Sequence, residues 1–151
     1  MDALFATLQS ESDGSAEGEI VLIFRQSGSD AMDLLLSRGY DAMASGDPRM
    51  SIWHLSALID HAPDFAEAYN ARASAFFDLG EYGLAMNDIH VVLSLNPRHF
   101  VALAGLGVIQ EDLGHLEEAL IAYKMVRSLN PHFNSIDLSI ERVESQLSIL
   151  H

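Results

Sequence analysis

Residues 79–97 have the sequence LGEYGLAMNDIHVVLSLNP, and residues 113–131 repeat its pattern as LGHLEEALIAYKMVRSLNP. Both stretches open with Leu-Gly, carry an alanine at the seventh position and close with Leu-Asn-Pro. A weaker copy lies upstream at the same interval, and it keeps Gly46, Leu55, Leu58 and Pro63 but has Ser51 at the alanine position. The chain therefore contains an internal repeat, with Pro63, Pro97 and Pro131 evenly spaced along it.

Each recurring position has a physical role in a pair of helices. Glycine at a helix end adopts the left-handed conformation without a Cβ penalty, and proline cannot continue the next helix. The small residue lets two helices approach closely, while the bulkier columns form the buried stripe. The columns are Gly46/Gly80/Gly114, Ser51/Ala85/Ala119, Leu55/Ile89/Tyr123, Leu58/Val92/Val126 and Pro63/Pro97/Pro131. Each unit is predicted to fold as helix, glycine turn, helix and proline turn, and stacked neighbours bury each other's apolar faces.

The middle copy, with Ala66-Glu67-Ala68-Tyr69-Asn70, Leu79-Gly80, Ala85 and Asn96-Pro97, resembles the tetratricopeptide-repeat (TPR) family. The third copy matches through Leu113-Gly114, Ala119, Tyr123 and Asn130-Pro131. This resemblance implies an all-α, right-handed α-solenoid of three TPR helical hairpins, as in small bacterial three-repeat TPR proteins. The implied repeats are residues 32–65, 66–99 and 100–133.

Two segments flank the repeats. Residues 134–150 carry Ile136, Ile140, Val143 and Leu147 on one side, which predicts a C-terminal capping helix. The N-terminal extension, residues 1–29, is expected to hold one or two short helices, Met1–Leu8 and Glu19–Gln26, around a loop at residues 10–18. Ser27-Gly28-Ser29-Asp30 offers N-caps for the first repeat helix. The TPR domain is thus expected to span residues 30–151.

The extension contains an apolar run that would be costly in water. Trp53 stands in a column that holds Asn87 and Ala122 in the other copies, which indicates an extra surface to cover. We expect the extension to pack near Trp53 and the first repeat through Ile20, Leu22, Ile23 and Phe24. The alternative is that these residues form a dimer contact.

In TPR proteins the first helix of each hairpin lines a concave groove. The resemblance therefore implies three sets of groove residues: Asp33, Leu36, Tyr40, Met43 and Ala44; Glu67, Asn70, Ser74, Phe77 and Asp78; Val101, Ala104, Val108, Glu111 and Asp112. Tyr40, Met43, Phe77, Val101 and Val108 offer apolar contact. Carboxylates surround them, and none of these positions holds Lys or Arg.

Some TPR co-chaperones grip a C-terminal carboxylate with Lys, Asn and Arg at these positions. Here only Asn70 matches, and the cationic positions hold Leu36, Val101 and Ala104. A carboxylate would meet like charge, so we expect a peptide or protein partner with apolar anchors and basic flanks. The alternatives are a solvated face without a partner, or a self-associating structural protein that uses the extension or the capping helix. We expect a monomer or a weak homodimer.

Composition narrows the remaining function classes. The net charge is −14, from 22 acidic and 8 basic side chains, and Lys124 is the only lysine. Such a surface disfavours nucleic acids and anionic membranes. There are no cysteines, and no segment is apolar enough to insert into a membrane. The sequence shows no secretion signal, so we expect a soluble protein, cytoplasmic by default or periplasmic if an export signal has been trimmed.

No catalytic or metal-binding pattern is recognisable. The histidines are His54, His61, His90, His99, His115, His132 and His151. No two of them form an i, i+4 pair, and the His115–Glu118 spacing alone lacks converging ligands. The glycines Gly105 and Gly107 lie in a helix pattern, where they favour close packing over phosphate binding. We therefore expect no enzyme activity, no metal and no cofactor.

Overall fold

A computed structural model describes residues 1–10 and 13–150 of the chain. Within this part the secondary structure is α-helical: α1 (Asp2–Ser10), α2 (Ser15–Phe24), α3 (Asp30–Ala44), α4 (Pro48–His61), α5 (Ala66–Asp78), α6 (Tyr82–Leu95), α7 (Phe100–Asp112), α8 (Leu116–Leu129) and α9 (Ile136–Leu150). The all-α prediction is confirmed. His151 and residues 11 and 12 of the predicted loop lie outside the described residues. None of the described helices has the length and hydrophobicity needed to cross a bilayer.

The helices form hairpins in step with the sequence repeat. α3 packs against α4, α5 against α6, and α7 against α8. Gly46, Gly80 and Gly114 end the first helix of each pair with φ angles of +77°, +74° and +80°. Because L-residues rarely adopt this conformation, the recurrence of glycine there is explained. Ser29 is the N-cap of α3, where its side chain accepts a hydrogen bond from the backbone of Met32.

The chain divides into two compact units. We call Leu22–Pro97 the central unit; the terminal unit joins Met1–Val21 to the chain from Arg98 onward. One buried apolar cluster of the central unit is formed by α3, α4, α5 and the turn before α5, and its buried members are Leu36, Leu55, Leu58, Phe65, Ala68 and Ala71. Of these, Leu55 and Leu58 belong to the predicted apolar columns, and Phe65 lies in the turn before α5.

The position of Ser51 shows how the weak first repeat keeps the geometry of the others. Ser51 is fully buried, and its hydroxyl donates a hydrogen bond of 2.8 Å to the carbonyl of Gly39. A buried hydroxyl is costly unless it is bonded, so this contact compensates for serine in place of alanine. A Cβ atom on Gly39 would lie 2.6 Å from Cδ2 of Leu55, so α3 and α4 pack at a distance that requires glycine.

In the terminal unit, an aromatic cluster anchors the N-terminal helix. Phe5 on α1 meets Phe100 edge to face at 6.2 Å between centroids, and Phe100 meets Phe133 at 5.6 Å. Gln9 adds hydrogen bonds of 3.1 Å to the carbonyls of Ser128 and Leu129. α1 is thereby fixed against the third hairpin.

The predicted docking of the extension on Trp53 is wrong. Trp53 is 68% exposed, and Leu22 and Ile23 are also exposed, at 61% and 38%. Of the predicted docking residues, Ile20 is fully buried and Phe24 is half-buried. The Phe100–Phe133 cluster offers α1 a larger apolar partner than a single tryptophan, which explains why most of the extension's burial occurs in the terminal unit. Only residues 22–29 share the central unit with the first repeat.

The C-terminal helix covers the end of the third hairpin. Ile136, Ile140 and Val143 of α9 are buried, and α9 packs against α8. Its opposite side carries exposed polar residues such as Glu141 and Ser145. This one-sided burial is what a solenoid end requires.

Candidate functional site

The predicted groove residues of the first two repeats lie on two neighbouring helices of the central unit. α3 carries Asp33, Leu36, Tyr40, Met43 and Ala44, and α5 carries Glu67, Asn70, Ser74, Phe77 and Asp78. α3 contacts α5 directly. Leu36 is only 3% exposed and belongs to the core, so it is not available to a ligand. We call the other nine predicted groove residues on α3 and α5 the α3–α5 face.

Three of these residues form one polar cluster. The Tyr40 hydroxyl donates a hydrogen bond to Oε1 of Glu67, and Nδ2 of Asn70 lies 3.3 Å from the same oxygen. Glu67 is only 4% exposed, whereas Tyr40 and Asn70 are half-buried. A buried carboxylate is stabilised only when hydrogen-bond donors surround it. The structure thus holds an acidic group in place between α3 and α5.

The protonation of Tyr40 suits this arrangement. Burial is the largest reason that the pKa of the Tyr40 hydroxyl lies above its usual value, and the Glu67 carboxylate raises it further. The Arg25 guanidinium acts in the opposite direction and does not cancel the rise. A tyrosine hydroxyl is protonated at neutral pH in any case, and this rise keeps it a donor to Glu67 at higher pH as well.

A residue that sequence reasoning missed completes the cluster. Arg25 follows directly after α2, and its Cζ atom lies 4.6 Å from the ring centroid of Tyr40. A guanidinium at this distance attracts the face of an aromatic ring. Arg25 stands outside the repeat and belongs to no periodic pattern, so the sequence offered no signal for it beyond its positive charge in an acidic chain.

The segment that carries Arg25 is tied to α3 by Ser27. The hydroxyl and the backbone N–H of Ser27 donate hydrogen bonds of 2.6 and 2.9 Å to Oδ1 of Asp33. Asp33, a predicted groove residue, therefore binds its own chain. Further along the face, Phe77 stacks on Tyr82 with ring centroids 5.3 Å apart, and Asp78 is exposed.

The groove residues of the third repeat lie on α7 in the terminal unit. Val101 and Ala104 are half-buried, and Val108 and Asp112 are exposed. Glu111 forms a two-pronged ion pair with Arg142 of α9, at 2.7 and 2.8 Å.

Glu111 also accepts a hydrogen bond of 2.8 Å from the Tyr123 hydroxyl. Arg142 is the main reason that the pKa of Glu111 is lowered, and the bond from Tyr123 acts in the same direction. This carboxylate, predicted to face a partner, instead links α7 to α8 and the C-terminal helix.

Two histidines form hydrogen bonds to neighbouring parts of their own chain. His99 is 1% exposed, and its Nδ1 atom accepts a hydrogen bond from the backbone of Ala102, which caps α7. His115 lies 2.7 Å from Oε1 of Gln110. Among residues 1–10 and 13–150, no three His, Asp or Glu side chains are grouped so that they could hold a metal ion.

Comparison with known proteins concerns the repeats and the fold. The tetratricopeptide-repeat family profile matches residues 36–89. A TPR repeat-containing protein of Rhizobium etli is 33% identical over 135 residues, which cover 87% of this chain and 66% of the relative. The chain thus spans slightly less than two thirds of that relative's length.

Two solved structures share the fold. The first TPR domain of Spaghetti (RPAP3), bound to the HSP90 peptide SRMEEVD, superposes with a TM-score of 0.74 at 24% identity and covers 78% of this chain and 93% of that one. The TPR2B domain of yeast Sti1, in complex with an Hsp70 peptide, gives a TM-score of 0.72 at 19% identity and covers 78% and 99%. At these identities the likeness concerns the fold.

Proposed function

The chain belongs to the tetratricopeptide-repeat family, and from this premise we propose that it is a protein-interaction module, not an enzyme. Its α3–α5 face binds a segment of another protein that carries basic residues beside apolar ones. The single observation that carries this proposal is the Tyr40–Glu67–Asn70 cluster, in which a buried carboxylate accepts a hydrogen bond from the hydroxyl of an aromatic side chain on this face.

The fold supports a binding role. TPR domains of the same architecture hold peptides, as in the complexes with the HSP90 and Hsp70 peptides. A binding site on two adjacent, packed helices needs little rearrangement, so a ligand loses little binding free energy to ordering of the site. Half-buried Met43 and Phe77 supply apolar contact at the edges of the face.

The charge of the face argues against the acidic peptides of those relatives. Glu67, Asp33 and Asp78 lie on α3 and α5. Leu36 stands where a carboxylate-binding TPR domain would have a cation, and it is buried in the core. A free carboxylate placed here would meet like charge from these three acids, and the Arg25 guanidinium is already engaged with the Tyr40 ring. A cationic segment would be attracted during encounter and discriminated from acidic competitors.

The proposal is tested by panning a random peptide library against the purified protein. We expect the recovered peptides to combine Lys or Arg with aromatic or aliphatic residues, and to bind less tightly as NaCl is raised. The peptide SRMEEVD, tested in parallel, is expected not to bind. Recovery of acidic peptides, or affinity that does not respond to salt, would remove the electrostatic basis of the proposal.

A matched pair of variants locates the effect. Asp78→Asn neutralises an exposed acid on the α3–α5 face, and Asp41→Asn neutralises one of the exposed acids on α3 that were not predicted to line the groove. We expect Asp78→Asn to weaken binding about two- to fivefold and to flatten the salt dependence, as for a single peripheral charge. Asp41→Asn is expected to bind as the unmodified protein does.

Self-association is the second candidate, and exposed apolar residues on the C-terminal helix favour it. Leu138 is 62% exposed, Ile149 84% and Leu150 69%. Leu138 and Ile149 lie on the same side of α9, because their separation is close to a whole number of helical turns. Sedimentation velocity over a range of concentrations separates the two candidates, because a monomer at all concentrations removes this one. A dimer that dissociates on Leu138→Ser/Ile149→Ser would support it.

A further inference from the structure

The chain already seats one of its own cations on the α3–α5 face. Arg25 places its guanidinium 4.6 Å above the centroid of the Tyr40 ring. The hydroxyl of the same ring is hydrogen-bonded to the buried carboxylate of Glu67. The ring, its carboxylate and a guanidinium thus form one continuous cluster within the central unit.

The cluster has the features that select arginine over lysine. A guanidinium is flat, so it can lie on an aromatic face while its edge still donates hydrogen bonds, whereas an ammonium is a compact and strongly hydrated point charge. A tyrosine hydroxyl that donates to a carboxylate also increases the electron density of its ring, which strengthens the attraction for a cation. The Asn70 amide, 3.3 Å from the Glu67 oxygen, helps to hold that carboxylate in place.

Arg25 lies at the exposed edge of this cluster. Its side chain is exposed, as are Leu22 (61%) and Ile23 (38%), whereas Phe24 directly before it is half-buried. The firm attachment of the segment comes further along the chain, where Ser27 binds Asp33 at 2.6 Å. An exposed cation–π contact is weak, so the guanidinium can leave the ring while Ser27 remains bound.

We propose that Tyr40 and Glu67 form an arginine-binding subsite, that Arg25 is its resident occupant, and that an arginine of the partner enters by displacing Arg25. This inference rests on the proposed function and specifies it further. The ligand is an arginine side chain that follows an apolar residue, as Arg25 follows Phe24 in this chain. Arg25 acts as an internal competitor for the Tyr40 ring. A partner segment therefore binds only if its other contacts make its affinity high enough to displace Arg25.

The probe is a fluorescein-labelled peptide that copies residues 19–27, EIVLIFRQS, together with a twin in which lysine replaces the arginine. Fluorescence anisotropy measures both peptides against the unmodified protein and against Arg25→Ala. The control, Arg38→Ala, removes an equal charge from an exposed position on α3. Removal of the internal competitor should tighten binding of the arginine peptide about three- to sixfold. Arg38→Ala should bind as the unmodified protein does.

The lysine twin tests the chemistry of the subsite. We expect it to bind Arg25→Ala at least about threefold more weakly than the arginine peptide does, because lysine cannot stack and donate in the same way. Arg25→Lys should bind the arginine peptide more tightly than the unmodified protein does and less tightly than Arg25→Ala does. Equal affinity of the two peptides for Arg25→Ala would overturn the inference.

Hydrogen exchange supplies a readout of displacement that is independent of the affinity measurement. In the unmodified protein, amides of residues 22–26 should exchange more slowly than in Arg25→Ala, and addition of the arginine peptide should abolish the difference. If Arg25→Ala leaves this exchange unchanged, or if it binds the peptide no better, Arg25 is not the occupant, although the face remains a binding site. If no peptide binds any of these proteins, including the library peptides, the proposed function fails and this inference fails with it.

Discussion

Gly107 on α7 lies directly against the ring of Tyr123 on α8, so closely that a Cβ atom on the glycine would be 2.5 Å from Cε1 of the tyrosine. No real Cβ contact is so short, and Tyr123 is nearly fully buried, with little space into which to move. Gly39 and Leu55 repeat the relationship in the first hairpin, at 2.6 Å. Close approach of the paired helices therefore depends on the absence of a side chain at this position.

Gly107→Ala should destabilise the protein by about 1–3 kcal/mol, because the added methyl group overpacks the helix pair. The matched control is Gly83→Ala on α6, where a Cβ atom would meet nothing within 4 Å. That change should be neutral or stabilise by up to about 1 kcal/mol, since it only removes backbone freedom from the unfolded chain. Urea unfolding measures both. Equal unfolding midpoints for the two variants would contradict this account of the helix contact.

Removal of one partner of the Arg72–Asp88 ion pair should destabilise the central unit strongly. Its two hydrogen bonds are each 2.8 Å long, and the Asp88 side chain is only 7% exposed. Asp88→Ala leaves a partly buried guanidinium without its partner, which should lower the free energy of unfolding by about 3 kcal/mol. Ser56→Ala, which removes a single longer bond to Arg72, should cost about 1 kcal/mol. A loss below that of Ser56→Ala would show that the pair is not stabilising.

The ion pair of Glu111 with Arg142 should make stability depend on pH. Arg142 lowers the pKa of Glu111 from its ordinary value of 4.5, so the folded protein binds this proton less readily than the unfolded chain. The stabilisation is therefore fully present above pH 4.5 and is lost as the pH falls through the lowered pKa. Glu111→Gln should destabilise at pH 7, and the difference should shrink below pH 4.5.

The control for this titration is Glu118→Gln, at an exposed position on α8. It removes the same charge and should leave the pH profile of the unfolding free energy almost unchanged. If the free energy of unfolding of the Glu111 variant and of the unmodified protein falls identically as the pH is lowered, the ion pair contributes nothing to stability.

Trp53 provides a spectroscopic check of the extension. It is the only tryptophan and is 68% exposed, in edge contact with His54. Its fluorescence should resemble that of tryptophan in water, and acrylamide should quench it readily. Trp53→Phe should change stability by no more than about 0.5 kcal/mol. A blue-shifted, protected emission in dilute solution would show that a segment covers it.

The sequence specified the hairpins well because their signals are local. Proline stops, left-handed glycines and the small-residue column each act over a short stretch of chain, and Gly46, Gly80 and Gly114 adopt the expected conformation. Gly107 was also assigned to close packing from its helical context. Placement of Tyr40, Glu67 and Asn70 on neighbouring helices followed from the repeat register.

The contacts between segments could not be predicted in the same way. Nothing periodic connects Arg25 to Tyr40, or Arg142 to Glu111, because each pair joins a flanking segment to a repeat. The extension was expected on Trp53 since tryptophan was the unusual residue in its column. The larger aromatic surface of Phe100 and Phe133 instead binds α1, and these two residues carried no unusual signal in the sequence.

The central claim is that the α3–α5 face receives a basic segment of a partner. Hydrogen exchange with and without a peptide recovered from the library tests it most directly. Protection should fall on residues 33–44 and 67–78 and be absent from residues surrounding Trp53 on α4 and from α9. Protection confined to α4 or α9, with α3 and α5 unchanged, would contradict the account.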